Sequence, residues 1–189
     1  MITTNTIHSI NQLFEHSLRA CSLPSPDDRC TITFRPDPPQ VIGEDHRLIV
    51  LTISSYGFRI VALSDFNMDT VTTSHLARMA RSNSATLAGQ ALLDAYAEFL
   101  NMVCGGVNRS LNVVFPYTGM STPFLLEHSC LQYLSVLNPA HTQYIDMVIN
   151  DTVRFGFTVC LCVNQESPLD LRIDKTVQEA SSSGELELF

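Results

Sequence analysis

The sequence predicts an α+β fold: an antiparallel-rich sheet with helices packed on one face. Three observations carry it. Apolar residues at 3- and 4-residue steps mark three helices, and β-branched runs broken by turn residues mark hairpins. The two kinds also come in blocks of helix, strands, helices and strands, not in the strict alternation of a parallel sheet. With 189 residues, 45% apolar and 16% charged, the chain is long and apolar enough to bury one substantial core.

Residues 7–20 form the first amphipathic helix, with Ile7, Ile10, Leu13, Phe14 and Leu18 on one side. Residues 23–40 hold Pro24, Pro26, Pro36, Pro38 and Pro39 and read as loop around a short strand at 30–34. Apolar runs at 48–53 and 58–63 flank Ser54-Ser55-Tyr56-Gly57, which is turn chemistry, so they form a hairpin. Asp69 or Thr70 caps a helix running to about Arg81. A long helix follows, centred on 92–111. Further strands are expected at 111–115, 123–127 and 131–137. A second hairpin, 144–149 with 154–163, turns at Asn150-Asp151-Thr152. Helix-then-strands occurs twice, from Ile7 and from Leu87, which hints at internal duplication. The expected organisation is a domain over 1–165 and a C-terminal extension over 166–189.

Composition narrows the function. Net charge is −8 and no Lys/Arg cluster exists, so the phosphate backbone of a nucleic acid has no docking surface. No run of about 18 apolar residues predicts a membrane span, and the N-terminus lacks a secretory signal pattern. The expected location is cytoplasmic. In a reducing compartment the six cysteines (Cys21, Cys30, Cys104, Cys130, Cys160, Cys162) act as small apolar residues, and no C-x-x-C pair is present. The six histidines are scattered, so no metal site is predicted. No G-x-S-x-G, P-loop or G-x-G-x-x-G occurs.

The chemistry-bearing segment is the long helix. Leu87, Ala91, Ala95, Phe99, Met102, Val103 and Gly106 follow its apolar face, with Leu92 beside them. The other face carries Asp94, Glu98, Asn101, Gly105 and Asn108, at steps of 3 and 4. Glu98 and Asn101 therefore share one face, where a carboxylate and a carboxamide can reach one water or one partner side chain. Gly105 and Gly106 each cost about 1 kcal/mol of helix stability. Close approach repays that cost, by a partner at Gly105 or by packed backbone at Gly106. On pattern alone, an ordinary solvated helix face beside a crowded core is the favoured account of the polar stripe.

Glu98, Asn101, Met102, Val103 and Gly105, with Arg109 and Leu111 following, resemble the characteristic helix of the CheC/CheX/FliY phosphatases of bacterial chemotaxis, in particular its CheX-like members. Val113-Val114-Phe115-Pro116 looks like that family's apolar strand ending in proline. Arg154-Phe155-Gly156-Phe157 looks like its closing hairpin. The resemblance spans most of residues 7–163 and implies a CheC-like (CheX) fold. Family members with two sites repeat E-x-x-N on another helix. Residues 9–16 here lack that spacing, so one site is implied.

The resemblance further implies that the substrate is the aspartyl phosphate of a CheY-like receiver domain, which brings its own Mg²⁺ and lysine. No cofactor is then needed on this chain. Asn101 would position the attacking water and Glu98 would bind the receiver lysine, with Asp94, Gly105 and Asn108 on the docking face. It also implies a homodimer formed through sheet edges. Two alternatives stand beside it: a non-catalytic CheX-like module that binds a response regulator or another signalling partner, and an unrelated α+β protein whose helix matches by chance. A buried Glu98 or Asn101, or a non-helical 94–108, would favour the last. At the C-terminus, Ser181-Ser182-Ser183-Gly184 reads as a spacer before Glu185-Leu186-Glu187-Leu188-Phe189. That pentapeptide is similar to DNA sliding-clamp docking motifs, with Glu185 where glutamine is usual, but packing against this chain or a second copy is the favoured reading.

Overall fold

A computed structural model describes residues 2–38, 46–164 and 169–172. In chain order it contains α1 (Thr4–Ser22), β1 (Cys30–Arg35), β2 (His46–Ser54), β3 (Phe58–Asn67), α2 (Thr70–Met79), α3 (Gly89–Val114), β4 (Gly119–Met120) and β5 (Phe124–Leu126). A 3₁₀ segment (His128–Leu137) then leads to β6 (His141–Ile149) and β7 (Val153–Val163). All the strand pairings are antiparallel, and the sheet order is β1-β6-β7-β3-β2-β4, with β5 also on β2. The expected class, a sheet carrying helices on one face, is what the chain adopts.

The topology gives the suspected duplication a physical form. Each half supplies a helix, an edge strand and a hairpin. The edge strand β1 pairs with β6 of the second hairpin, while β4 and β5 pair with β2 of the first. The two hairpins meet at the central β3–β7 ladder, from Phe58↔Val163 to Phe66↔Phe155. In this arrangement α1 is the counterpart of α3. The turn between β6 and β7 places Asn150 and Asp151 at φ 50° and 61°, a left-handed backbone that Asn and Asp tolerate best after glycine.

The inner face of the sheet contributes Ile49, Leu51, Ile60, Phe66, Ile145, Met147, Phe155 and Phe157 to a core shared with all three helices. The outer face is covered in part by the 3₁₀ segment: Leu131, Leu134 and Leu137 lie against Leu48, Val50, Val61, Leu63 and Cys160. Cover on both sides explains why β3 is buried along almost its whole length.

Two expected strands are helical. Residues 111–114 continue α3, because Leu111 extends the buried series of Val103 and Val107; the helix stops where Pro116 disfavours helical backbone at Phe115. Residues 131–137 lie in the 3₁₀ segment. Leucines three apart line one side of a helix with three residues per turn, and so short an apolar run has no periodicity that separates it from a strand. Beyond β7, Leu169 and Leu171 are buried against α1, where the Thr6 hydroxyl donates to the Leu169 carbonyl (2.8 Å) and accepts from the Leu171 amide (2.9 Å). Pro39 and the 181–189 tail lie outside the described residues.

Asp69 caps α2 by accepting from the Thr72 amide at 2.7 Å. On that helix His75 is buried, with Nε2 donating to the Ser22 carbonyl (3.0 Å) and Nδ1 accepting from Arg78 (3.2 Å). Burial, foremost, holds its pKa below the ordinary histidine value. The unfolded chain therefore binds a proton that the folded one refuses. His75 contributes stability fully above about pH 6.5, and this is lost as pH falls through its folded-state value. The urea midpoint of the wild type should drop between pH 7 and pH 5, and His75→Gln should show a shallower drop. Parallel slopes would show that His75 does not set this dependence.

Candidate functional site

Helix α3 is fastened to the sheet by aromatic side chains. Tyr96 is fully buried; its hydroxyl is paired with that of Ser64 on β3, and its ring stacks on Phe66 with centroids 3.6 Å apart. Phe99, one turn on, is also fully buried and lies 5.5 Å from Phe155. The apolar face is thus rotated from the expected one. Tyr96, Leu100, Cys104 and Val107 are in the core, whereas Ala91 is exposed and Met102 is 40% exposed. Counting only apolar residues along the helix missed Tyr96, whose single polar atom is satisfied by a serine distant in sequence.

With Tyr96 and Phe99 inward, Asp94 and Glu98 are exposed and Asn101, Gly105 and Asn108 partly so, all on one face. Asn101 Nδ2 donates to Glu98 Oε2 at 3.3 Å. That bond uses one of the amide's two N–H donors, and Oδ1 is the amide's acceptor atom. Asp94 accepts from Gln90 (2.7 Å), and Asn108 Oδ1 accepts from the Thr118 hydroxyl (2.7 Å). The predicted residues are therefore brought together. Glu98 and Asn101 form their own pair, while Asp94 and Asn108 are each engaged with a neighbour. Both conditions that would have favoured a chance match fail, since the segment is helical and neither residue is buried.

The two glycines differ. A Cβ on Gly106 would lie 2.3 Å from Ser17 Oγ, whose hydroxyl donates to the Val103 carbonyl at 2.7 Å. Gly106 thus lets α1 close onto α3. A Cβ on Gly105 would meet only the Arg109 guanidinium, at an ordinary 3.6 Å. Arg109 reaches back one turn beside Gly105, following the N-terminal tilt of helical side chains.

Sequence reasoning also passed over the loop after α3. Asn112 accepts from the Thr118 amide (3.2 Å), so Asn108 and Asn112 together strap this loop to the polar stripe. Tyr117, between Pro116 and Thr118, is 89% exposed. The signal available was a Pro-Tyr-Thr-Gly turn directly after the helix.

The counterpart helix α1 offers no second pair. Its Glu15 is bound to Arg19 (2.9 Å) and its Asn11 to Gln143 (3.2 Å). Cys104, beneath the stripe, is held as a thiol, burial pushing its pKa up to about 12. Among the described residues, no group of three His, Cys, Asp or Glu side chains could hold a metal ion, and no helix is long and apolar enough to cross a membrane.

No protein-family model matches the sequence, and no curated protein matches it. Solved structures do match in three dimensions. The crystal structure of the chemotaxis protein CheX from Vibrio vulnificus is 15% identical, with a TM-score of 0.54 over 82% of this chain and 98% of that one. A CheX–CheY–BeF3–Mg²⁺ complex from Borrelia burgdorferi is 9% identical, with a TM-score of 0.57 over 82% and 96%. FliY from Thermotoga maritima is 13% identical, with a TM-score of 0.53 over 94% of each chain. The chain therefore has the fold of CheX-like and FliY chemotaxis proteins.

The glycine geometry predicts opposite effects of one methyl group. Gly105→Ala should stabilise the protein by up to about 1 kcal/mol through helix propensity. Gly106→Ala should destabilise it by about 1–2 kcal/mol by displacing the Ser17 hydroxyl. Adding Ser17→Ala should recover part of that loss in a double-mutant cycle measured by denaturation. Equal effects at the two glycines would refute the distinction.

Proposed function

We propose that this protein dephosphorylates the aspartyl phosphate of a CheY-like receiver domain, using α3 as its docking and catalytic face. The observation that carries the reading is that Glu98 and Asn101, neither of them buried, share one face of α3 and are hydrogen-bonded to each other. The fold shared with CheX-like proteins, one of them in complex with CheY, supports the choice of partner.

An acyl phosphate is already activated, so the phosphatase has little bond chemistry to supply. What it adds is a water in line with the bond that breaks. Asn101 Oδ1 accepts a hydrogen bond from that water and aims its lone pair at phosphorus. The new bond forms from water oxygen to phosphorus as the phosphorus–oxygen bond to the receiver aspartate breaks. The products are the free aspartate carboxylate and inorganic phosphate, and the water's protons pass to phosphate and solvent. Confining the water in this way removes an orientational cost that free solvent must meet in each reaction. Glu98 meets the receiver's lysine through a charge-assisted contact that sets the docking register. The Mg²⁺ belongs to the receiver. This reading places the protein in the cytoplasm beside its partner.

The homodimer belongs to the same proposal. The sheet ends at β1 on one side and at β4 and β5 on the other, where Phe124 and Leu125 are each 47% exposed. Sedimentation should give about twice the chain mass, and a monomer at all concentrations would rule the dimer out.

The test mixes purified protein with phosphorylated CheY-like receivers and follows phosphate loss. Wild type should shorten the phosphate lifetime of a cognate receiver, and Asn101→Ala should lose about 100-fold or more of that acceleration. Equal rates for wild type, Asn101→Ala and buffer across the receivers would contradict the reading. A receiver that binds at Glu98 while its phosphate lifetime stays unchanged would instead make the protein a docking module.

A further inference from the structure

The exposed face of α3 changes character along its length. Towards the N-terminus from Asn101 it presents Glu98, Asp94 and Gln90, all polar. Towards the C-terminus it presents Met102 (40% exposed), Gly105, Arg109 and Val113 (60% exposed), and then the loop that carries Tyr117. Methionine, arginine and tyrosine are side chains enriched at the centres of protein interfaces, where acidic residues are depleted.

Tyr117 is held in an unusual way. Its φ is 78°, a left-handed backbone that bulky side chains rarely adopt, and its ring is 89% exposed. Nothing packed against the ring explains that conformation. The next residue is itself fixed: Thr118 is tied by its hydroxyl to Asn108 and by its amide to Asn112. The polar stripe that carries Asn101 thus also clamps the loop. Asn101 and Asn108 are two turns apart, about 10 Å along the axis. A partner covering about 800 Å² would reach roughly 16 Å from the centre of its footprint. A receiver centred on Asn101 therefore extends over the Tyr117 loop.

We infer that Tyr117, with Met102 and Val113, forms the apolar anchor of the receiver-docking surface, and that these residues set which receiver is accepted while Asn101 supplies the chemistry. The inference rests on the phosphatase reading above. Its occupant is the receiver's surface beside the phosphorylation site, because the anchor is continuous with the Glu98–Asn101 face.

The experiment measures steady-state dephosphorylation by the full chain on a panel of phosphorylated CheY-like receivers, together with binding of their beryllofluoride-loaded forms by calorimetry. The variants are Tyr117→Gly and Val113→Ser, with Asn101→Ala alongside. Glycine suits φ 78°, so Tyr117→Gly removes the ring without straining the backbone. On the receiver that wild type turns over, Tyr117→Gly should raise KM and Kd about 10-fold or more, with kcat within about twofold of wild type. Val113→Ser should shift both in the same direction by a smaller factor. Asn101→Ala should lose kcat while still binding. Unchanged KM and Kd in Tyr117→Gly, with wild type active, would overturn the anchor and leave the phosphatase reading standing. Wild type that neither binds nor dephosphorylates any receiver would overturn both.

Discussion

The setting of α3 about its own axis is the constraint on which the site depends. Tyr96 and Phe99 face the sheet and are fully buried, the first joined to Ser64 and set against Phe66 and Phe155, the second against Phe155 and Phe157. Each buried aromatic contributes about 2–3 kcal/mol, whereas an exposed polar pair such as Glu98 with Asn101 contributes well under about 1 kcal/mol. The core therefore decides which way the helix is turned, and the polar pair is carried to the surface as a consequence. Gly106 adds a second fix, since the Ser17 hydroxyl of α1 stands where its Cβ would be. The candidate site is thereby fixed by the core and not by a partner, which is the condition the proposed positioning of a water depends on.

The topology accounts for where the candidate site lies. Each half lends its edge strand to the other half's hairpin, so neither half completes its own sheet layer. The helices α1 and α3 are left side by side on the inner face as counterparts. Their polar groups differ: Glu15 and Asn11 of α1 are tied to Arg19 and Gln143, whereas on α3 Asn101 Nδ2 donates to Glu98. On the opposite face the 3₁₀ segment covers Val61, Leu63 and Cys160, which separates this outer layer from the candidate site.

Much of this was legible in the sequence because it is local. The E-x-x-N spacing, the cap at Asp69, the Asn150-Asp151 turn and the two hairpins each depend on residues a few positions apart. What was not legible depends on distant partners. Tyr96 reads as a polar-tipped aromatic of uncertain side until Ser64, 32 residues away, is known to meet it. Ser17 and Val103 are 86 apart, so the reason for Gly106 became visible only in three dimensions. Val113 and Val114 suggest a strand by their β-branching, yet Val107 and Leu111 had already committed the helix to its face. The leucines of the 3₁₀ segment had the period of their structure, but in a run too short to separate from a strand.

The most direct measurement follows backbone and Asn side-chain amide resonances of isotope-labelled protein on addition of a CheY-like receiver, with and without beryllofluoride. If α3 is the working face, the Asn101 side-chain amide and the backbone amides of 98–112 shift, and they shift more with the beryllofluoride-loaded receiver. Shifts confined to the 3₁₀ segment and the outer face of the sheet, with α3 silent, would contradict it.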